Sequence, residues 1–408
     1  MAFKISFAPA QQCLTLALVV TLSACGGDST TPATTTTSVT PTPTPTPTPT
    51  DATADANAIV QQFLRLDLAN LENYANPTLP DYFDNTVDDI DNTPGNDPVN
   101  DAIATLGRVL FYDTALSVND TVSCATCHQQ SLGFDDDERL STGFEGGQTG
   151  AHAMRLGNMR YFAPGDMFWD RRADSAEDQA TQPILDATEM GWSNNGGLAA
   201  LISKMQGLDY YPTLFEFVFG DDAITDARIQ RALAHFQRAI ISSDSRWDQA
   251  YAQVFTVGAP GRALDQALPG FSASEQRGRE LFMTGPNNGG AGCAACHQPP
   301  TYALAANSRS NGLDAGETVL FKSPSLKNIA RSSFFMHDGR FTTLRQVVDH
   351  YSDGIQAGPA LDNRLQQGGA PRRLNLSESD REALVDFMRT LTDETLSNDA
   401  RFSDPFIR

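Results

Sequence analysis

Four of the six cysteines of this 408-residue chain lie in two copies of one short frame, in which two cysteines three positions apart are followed at once by a histidine. In such a frame each thiol can form a thioether to a haem vinyl group, and the adjacent imidazole can bind the iron. A zinc site or a pair of thioredoxin-like redox motifs also uses paired cysteines, but neither needs a histidine directly after each pair. The frames therefore predict two covalently bound haem c groups, held by Cys124, Cys127 and His128 and by Cys293, Cys296 and His297.

The first residues have the features of a bacterial export signal. Lys4 supplies a positive charge, residues 14–22 are mainly apolar, and small residues lead into Cys25. This ending resembles a lipoprotein signal, so we expect residues 1–24 to be removed and Cys25 to be acylated, with ordinary cleavage nearby as the alternative. The apolar run is too short to remain in a bilayer as a spanning helix, so membrane contact is predicted through the lipid anchor alone. The chain is expected to be a periplasmic or cell-surface lipoprotein, with the outer membrane favoured.

Two segments separate this signal from the predicted globular part. Residues 25–54 are rich in Thr and Pro, a composition that favours a disordered, extended tether. Residues 55–100 form an N-terminal extension, in which residues 56–70 have helical periodicity and residues 77–100 are predicted to be a solvated acidic loop. The formal net charge of −21 disfavours nucleic acid and anionic lipid as partners and leaves a basic protein partner possible.

Helical periodicity dominates the remaining sequence, and alternation typical of strands is scarce. We therefore predict a mostly α fold. The predicted helices cover residues 101–112, 227–241, 274–282, 344–351 and 378–392.

Two further segments carry a family resemblance. They comprise Met167, Phe168, Trp169 and Asp170, followed by Arg172, Gln179, Pro183, Glu189 and Met190, and residues 321–328, followed by His337, Asp338 and Gly339. In order and spacing they are similar to segments of the bacterial dihaem cytochrome c peroxidases and MauG, and the resemblance covers residues 101–391. It implies two cytochrome c-like haem domains in tandem: a peroxidatic domain at residues 101–262 and an electron-transfer domain at residues 263–395, with a tail at 396–408.

The resemblance also implies roles for single residues. His128 would be the proximal ligand of the haem that reacts with peroxide, with Gln179 and Glu189 in its distal pocket. A carboxylate there can move a proton between the two peroxide oxygens. Trp169 would relay an electron between the haems. Without the family, Glu189 is a helix-end carboxylate, Gln179 a surface amide and Trp169 a core aromatic residue.

Peroxidases of this family that need reductive activation have a histidine that caps the first haem. The corresponding loop here, residues 140–147, contains no histidine, so the first haem is predicted to be open. His152 aligns with an asparagine that binds a bridging calcium ion in relatives, where the carbonyls of Ser332 and Phe334 would be the other ligands. An imidazole replaces an amide oxygen poorly, so the calcium ion remains an open alternative.

The second haem is expected to have His297 on one side and a second ligand on the other. Candidates are Met336, His337, His350 and Tyr351. Tyr351 matches the position of the distal ligand in the family, which is Met in typical peroxidases and Tyr in MauG, and it shares a helix face with Val347 and Val348. We therefore predict Tyr351 as the ligand, with His350 as the alternative.

Three functions are consistent with these features. The leading hypothesis is a peroxidase that reduces hydrogen peroxide at the open first haem, with electrons relayed through the second haem from a small periplasmic cytochrome c or cupredoxin. The first alternative is a MauG-like enzyme that uses peroxide-derived oxidising equivalents to oxidise Trp or Tyr residues of a partner protein. The second alternative is a tethered dihaem electron carrier.

Overall fold

The computed structural model describes residues 49–304 and 307–408. The predicted signal peptide, Cys25 and the predicted tether up to residue 48 lie outside these residues. Within the described ranges we find no helix that is both long and apolar enough to cross a membrane.

Helices supply most of the regular structure in both halves of the described chain. Before residue 260 the α-helices are α1 (Pro49–Val60), α2 (Asn85–Asp88), α3 (Asp101–Tyr112), α4 (Cys124–Cys127), α5 (Ala176–Ala180), α6 (Gln182–Leu185), α7 (Gly197–Gln206), α8 (Tyr210–Phe219), α9 (Asp226–Ala239) and α10 (Arg246–Val254). After it they are α11 (Ala273–Met283), α12 (Leu344–Asp349), α13 (Glu378–Arg389) and α14 (Glu394–Asn398), and a π-helical turn, His350–Gly354, continues α12. The prediction of a mostly helical chain is confirmed.

The described β structure consists of short pieces. The antiparallel strands β1 (His297–Gln298) and β2 (Ala303–Leu304) pair directly after the second Cys frame, and β3 (Gln366–Gln367) pairs with β4 (Ala370–Pro371). The first ladder sets His297 opposite Leu304.

Each Cys frame follows a helix that crosses a second helix at a glycine. In the first half α3 packs on α9, and a Cβ atom added to Gly107 would lie 1.9 Å from the Ala232 carbonyl oxygen. In the second half α11 packs on α13, and a Cβ atom added to Gly278 would lie 1.9 Å from the Ala383 carbonyl oxygen. No side chain fits at either crossing, so the same close helix pair is built twice. Each pair forms part of a separate hydrophobic cluster.

The five helices predicted after residue 100 are all present as α3, α9, α11, α12 and α13, with ends that differ by a few residues. Asn100 fixes the start of α3, because its side-chain oxygen accepts hydrogen bonds from the backbone of Ala102 and Ile103. These segments were predictable because the period of their apolar residues matches one buried helix face.

Two predictions for the N-terminal extension are wrong. The helix expected over residues 56–70 ends at Val60, and Leu64 instead forms a β-bridge with Phe406 from the end of the chain. The loop expected to be solvated contains Tyr82, which is fully buried and donates a hydrogen bond to the carboxylate of Asp248 over 2.9 Å. Both differences arise from contacts with distant residues, which local periodicity does not encode.

The last residues of the chain return to the first hydrophobic cluster. Phe402 is buried there, and the Tyr74 hydroxyl donates a hydrogen bond to the Arg401 carbonyl over 2.6 Å. The Arg108 guanidinium binds the Ser403 carbonyl over 2.7 Å. The segment expected to be a tail therefore packs against the half of the chain that carries the first Cys frame.

Candidate haem sites

The first Cys frame is one helical turn followed by a buried imidazole. The Ser123 backbone amide donates to the Thr126 hydroxyl over 2.9 Å, and this contact holds the start of α4. The His128 Nδ1 atom lies 3.2 Å from the Phe134 carbonyl oxygen, which favours a proton on Nδ1 and leaves Nε2 free to bind a metal. Burial lowers the pKa of His128, so the ring is neutral at pH 7, as an iron ligand must be.

The four frame cysteines are unpaired thiols. Burial raises the pKa of Cys124, Cys127 and Cys293 to about 12 and that of Cys296 to about 11. A redox-active dithiol requires a thiolate of low pKa. In the part of the chain that the structure describes, no group of three or more His, Cys, Asp or Glu side chains is placed to hold a metal ion. The donor set therefore fits haem c and does not fit the zinc or dithiol alternatives.

Glu189 lies near the first frame, and its carboxyl is close enough to raise the pKa of both Cys124 and Cys127. Its own pKa is raised from 4.5 to about 7, mainly by burial and further by the negative charge of Asp186, while Arg172 acts in the opposite direction. A carboxyl with this pKa can both take up and release a proton at neutral pH.

The loop that lacks a histidine packs against the Glu189 backbone. The Phe144 amide donates to the Glu189 carbonyl over 3.0 Å, and a Cβ atom added to Gly143 would lie 1.8 Å from the Thr188 carbonyl oxygen. The glycine thus allows an approach that a side chain would prevent. Gln179 lies on α5, partly buried, and no described residue hydrogen-bonds to its side-chain amide.

A cavity of about 540 Å³ lies beside the second frame. Its size is in the range of cofactor sites, and its walls include Cys293, Cys296 and His297. Burial lowers the pKa of His297 to about 4, so this imidazole is also neutral at pH 7. The cavity and its donor set fit a second haem c.

Tyr351, the predicted second ligand, lines this cavity together with Val347 and Val348. The three residues share one helix face, as the sequence pattern predicted. His350 is absent from the described cavity wall, and its Nε2 atom lies 3.1 Å from the Asn311 carbonyl oxygen. The geometry therefore favours Tyr351 over His350.

Two further candidates, Met336 and His337, also line the cavity. The Met336 sulfur accepts a hydrogen bond from the Asn311 side-chain amide over 3.3 Å. The His337 ring stacks on Phe321, with ring centroids 4.2 Å apart. Met336 thus already has a hydrogen-bond partner, and His337 already has a stacking partner.

Trp169 lines the same cavity although it belongs to the first half of the sequence. Its Nε1 atom donates to the His152 carbonyl over 2.7 Å, and its own carbonyl accepts from the Lys322 amide over 2.8 Å. The His152 Nε2 atom lies 3.1 Å from a carboxylate oxygen of Asp135, the residue after Phe134. Two contacts thus connect the loop that holds His128 with the wall of the second cavity.

The side chains of the residues expected to bind calcium lie close together, beside a buried guanidinium. The His152 and Phe334 ring centroids are 6.0 Å apart, and the Ser332 hydroxyl accepts a hydrogen bond from the Arg155 guanidinium over 2.7 Å. Calcium binds six to eight oxygen atoms, whereas this position presents an imidazole and a buried cation. The side chains at this position do not fit calcium.

A family model described as di-haem cytochrome c peroxidase matches residues 101–254 and 273–367, more than half of the chain. The chain belongs to this family. It is 32% identical to the methylamine utilization protein MauG of Methylorubrum extorquens, over 74% of this chain and 81% of that protein. It is 29% identical to the cytochrome c551 peroxidase of Nitrosomonas europaea, over 62% of this chain and 73% of that protein. The chain is therefore a haem-dependent oxidoreductase of the dihaem peroxidase type.

Solved structures of this family have a similar fold. A MauG-like protein associated with microbial copper homeostasis superposes with a TM-score of 0.64 and 29% identity, covering 81% of this chain and 99% of that one. The dihaem peroxidase BthA of Burkholderia thailandensis superposes with a TM-score of 0.58 at 22% identity, covering 76% and 91%. The electron-carrier hypothesis loses support, because the named relatives are enzymes.

The sequence pattern did not indicate Asn311 and Arg155. Asn311 contacts His350 through its carbonyl and Met336 through its amide, and Arg155 contacts Ser332. Neither residue lies in a frame or on a periodic apolar face, so no local signal could have identified them.

Proposed function

We propose that the protein is a dihaem c-type peroxidase in which hydrogen peroxide reacts at an open first haem held by Cys124, Cys127 and His128. The observation that carries the proposal is the Glu189 carboxyl, which lies near the first frame and has a pKa of about 7. General acid–base catalysis is most effective when the pKa of the group is close to the working pH.

The proposal gives each surrounding side chain a role. The haem, when bound, supplies an iron centre that binds peroxide and takes up two oxidising equivalents. Glu189 takes the proton from the inner peroxide oxygen and returns it to the outer oxygen, which leaves as water. The side-chain amide of Gln179 orients the peroxide through a hydrogen bond. Loop 140–147 contributes no imidazole that could occupy the peroxide position.

The second site is proposed to exchange electrons with the first. Its iron ligands would be His297 and Tyr351, and the contacts of Trp169 support a relay between the two sites. The electron donor would be a small periplasmic cytochrome c or cupredoxin. The protein would reach it as a lipoprotein acylated on Cys25, and calcium is not part of this proposal.

A MauG-like oxidation of Trp or Tyr residues in a partner protein is the second candidate. Tyr351 favours it, because a phenolate ligand stabilises the ferric and higher oxidation states, whereas Met stabilises the reduced state. The similarity to a structure described as a MauG-like protein points in the same direction. A site that retains oxidising equivalents suits a slow reaction with a protein substrate.

Electron paramagnetic resonance of the resting ferric holoprotein tests the open site. We expect one high-spin and one low-spin haem, and two low-spin haems would contradict the proposal. Peroxide turnover with reduced cytochrome c then separates the candidates. Fast oxidation of cytochrome c supports the peroxidase, and slow oxidation with a long-lived oxidised protein supports the MauG-like enzyme.

A further inference from the structure

A buried arginine occupies the region where relatives are expected to bind calcium. The Arg155 side chain is 8% exposed, and the carboxylate of its partner Asp135 is 0% exposed. The Arg155 Nη1 atom lies 3.1 Å from Asp135 Oδ2 and donates to the Ser332 hydroxyl over 2.7 Å, and Nη2 lies 3.4 Å from the Ser325 carbonyl oxygen. The Ser332 hydroxyl in turn donates to the Asp135 carboxylate.

These contacts join the two halves of the chain. Asp135 and Arg155 come after the first Cys frame, whereas Ser325 and Ser332 come after the second. The guanidinium is thus a cation with oxygen ligands from both halves, which is the arrangement expected of a bridging metal ion. A planar guanidinium suits such a place, because it offers several donors in a fixed geometry and stays charged at all physiological pH values.

The same cluster disfavours a calcium ion. Both nitrogen atoms of His152 already have neighbours, since Nε2 lies 3.1 Å from Asp135 and Nδ1 lies 3.1 Å from the Glu138 carbonyl oxygen. A divalent ion beside the buried guanidinium would also be repelled by it, and burial strengthens such repulsion. The negative charge of Asp135 is already balanced by Arg155.

We propose that Arg155 replaces the bridging calcium ion, so that the two haem sites of this protein keep their relative position without calcium. Arg155 is then a positioning residue. Through Asp135 it holds the loop in which the Phe134 carbonyl contacts His128, and Asp135 also contacts His152, whose carbonyl binds the Trp169 indole. This inference concerns the connection between the two sites and does not depend on which substrate the enzyme oxidises.

The first test measures calcium directly. Haem-loaded protein is first dialysed against CaCl2 at about 10 mM, which lies above the affinity range of protein calcium sites, and then against metal-free buffer. Elemental analysis should then find far less than one calcium per chain. Neither EGTA nor CaCl2 should shift its thermal unfolding midpoint or the reduction potential of either haem. One retained calcium per chain, or a potential that shifts with EGTA, would overturn the proposal.

The second test removes the cation. Arg155→Met should lower the unfolding midpoint by on the order of 5 °C and shift the reduction potential of the first haem, because Asp135 loses its partner beside the His128 loop. Arg155→Lys keeps the charge and should restore most of both properties. Arg389→Met removes an exposed arginine, paired with Asp386, and should change neither. An Arg155→Met protein that matches the wild type in both would refute the bridging role.

The third test restores oxygen ligands. The double variant His152→Asn, Arg155→Thr supplies an amide and a hydroxyl and removes the competing cation, so CaCl2 should raise its unfolding midpoint while MgCl2 does not. The single variant Arg155→Lys should remain unresponsive to both salts. If the double variant also ignores CaCl2, Arg155 does not stand in the calcium position, and the proposed replacement is wrong.

Discussion

Replacing Glu189 by Gln should stabilise the protein above pH 7 while it removes most of its reactivity with peroxide. Burial, with a contribution from Asp186, raises the pKa of Glu189 from 4.5 to about 7. One pKa unit corresponds to about 1.4 kcal/mol, so ionised Glu189 costs the folded state about 3 kcal/mol relative to the unfolded chain. Gln has a similar shape and no charge, so the variant avoids this cost.

The pH dependence of this effect has a definite sign. Below pH 4.5 the carboxyl is neutral in both the folded and the unfolded state. The ionisation of Glu189 should therefore cause little difference in stability between wild type and variant. Between pH 4.5 and pH 7 the unfolded chain ionises first, so wild-type stability falls relative to the variant as pH rises. Above pH 7 the difference reaches its full value of about 3 kcal/mol.

The assay is urea unfolding of the haem-loaded protein at several pH values, together with stopped-flow mixing with peroxide. The variant should react about 10²–10⁴-fold more slowly, because the proton transfer between the peroxide oxygens loses its carrier. Glu145→Gln changes an exposed carboxylate in loop 140–147 and should leave both measurements unchanged. A stability difference that does not vary with pH, or a variant as fast as the wild type, would refute the assignment.

Three further predictions test the second haem ligand, the connection between the two haem sites and a buried ion pair in the second half of the chain. Tyr351→Met should change the spectrum of the second haem and raise its reduction potential, whereas His350→Ala should leave its ligation intact; a reversed result would make His350 the ligand. Trp169→Phe should slow the passage of electrons from the second haem to the first in stopped-flow reduction and, through the lost indole hydrogen bond, lower stability by about 1 kcal/mol; an unchanged rate would exclude the relay. Lys327→Met leaves the Asp248 carboxylate buried without its cation and should cost about 3–5 kcal/mol in urea unfolding; a loss below about 1 kcal/mol would show that the pair is not needed.

The sequence predicted those features that depend on short stretches of chain. The Cys frames and the helices around them follow from spacing and periodicity, and the shared face of Val347, Val348 and Tyr351 follows from helix geometry. The environment of Glu189 was only partly predictable. Its position came from the family pattern, but its raised pKa depends mainly on burial, which only the folded chain produces.

The missed features join residues that are far apart in sequence. Arg155 meets Ser332 across 177 positions, and Tyr82 meets Asp248 across 166 positions. Each member of these pairs is an ordinary polar residue in its local context. The local sequence therefore predicts it to lie on the surface, because its buried partner is distant in the chain. A single sequence carries no pairing information of this kind.

The two haem sites show why a motif that specifies a cofactor does not specify its role. The scaffold is built twice, with glycine crossings at Gly107 and Gly278 before equivalent Cys frames. The sites differ in the segments that come after each frame. After the first, the chain supplies Glu189, with a pKa near neutrality, and a loop without an imidazole. After the second, it supplies a helix face that brings Tyr351 to the cavity wall. The proposed difference in chemistry between the two sites therefore depends on the segments outside the repeated unit, and variants that distinguish the haems should be sought there.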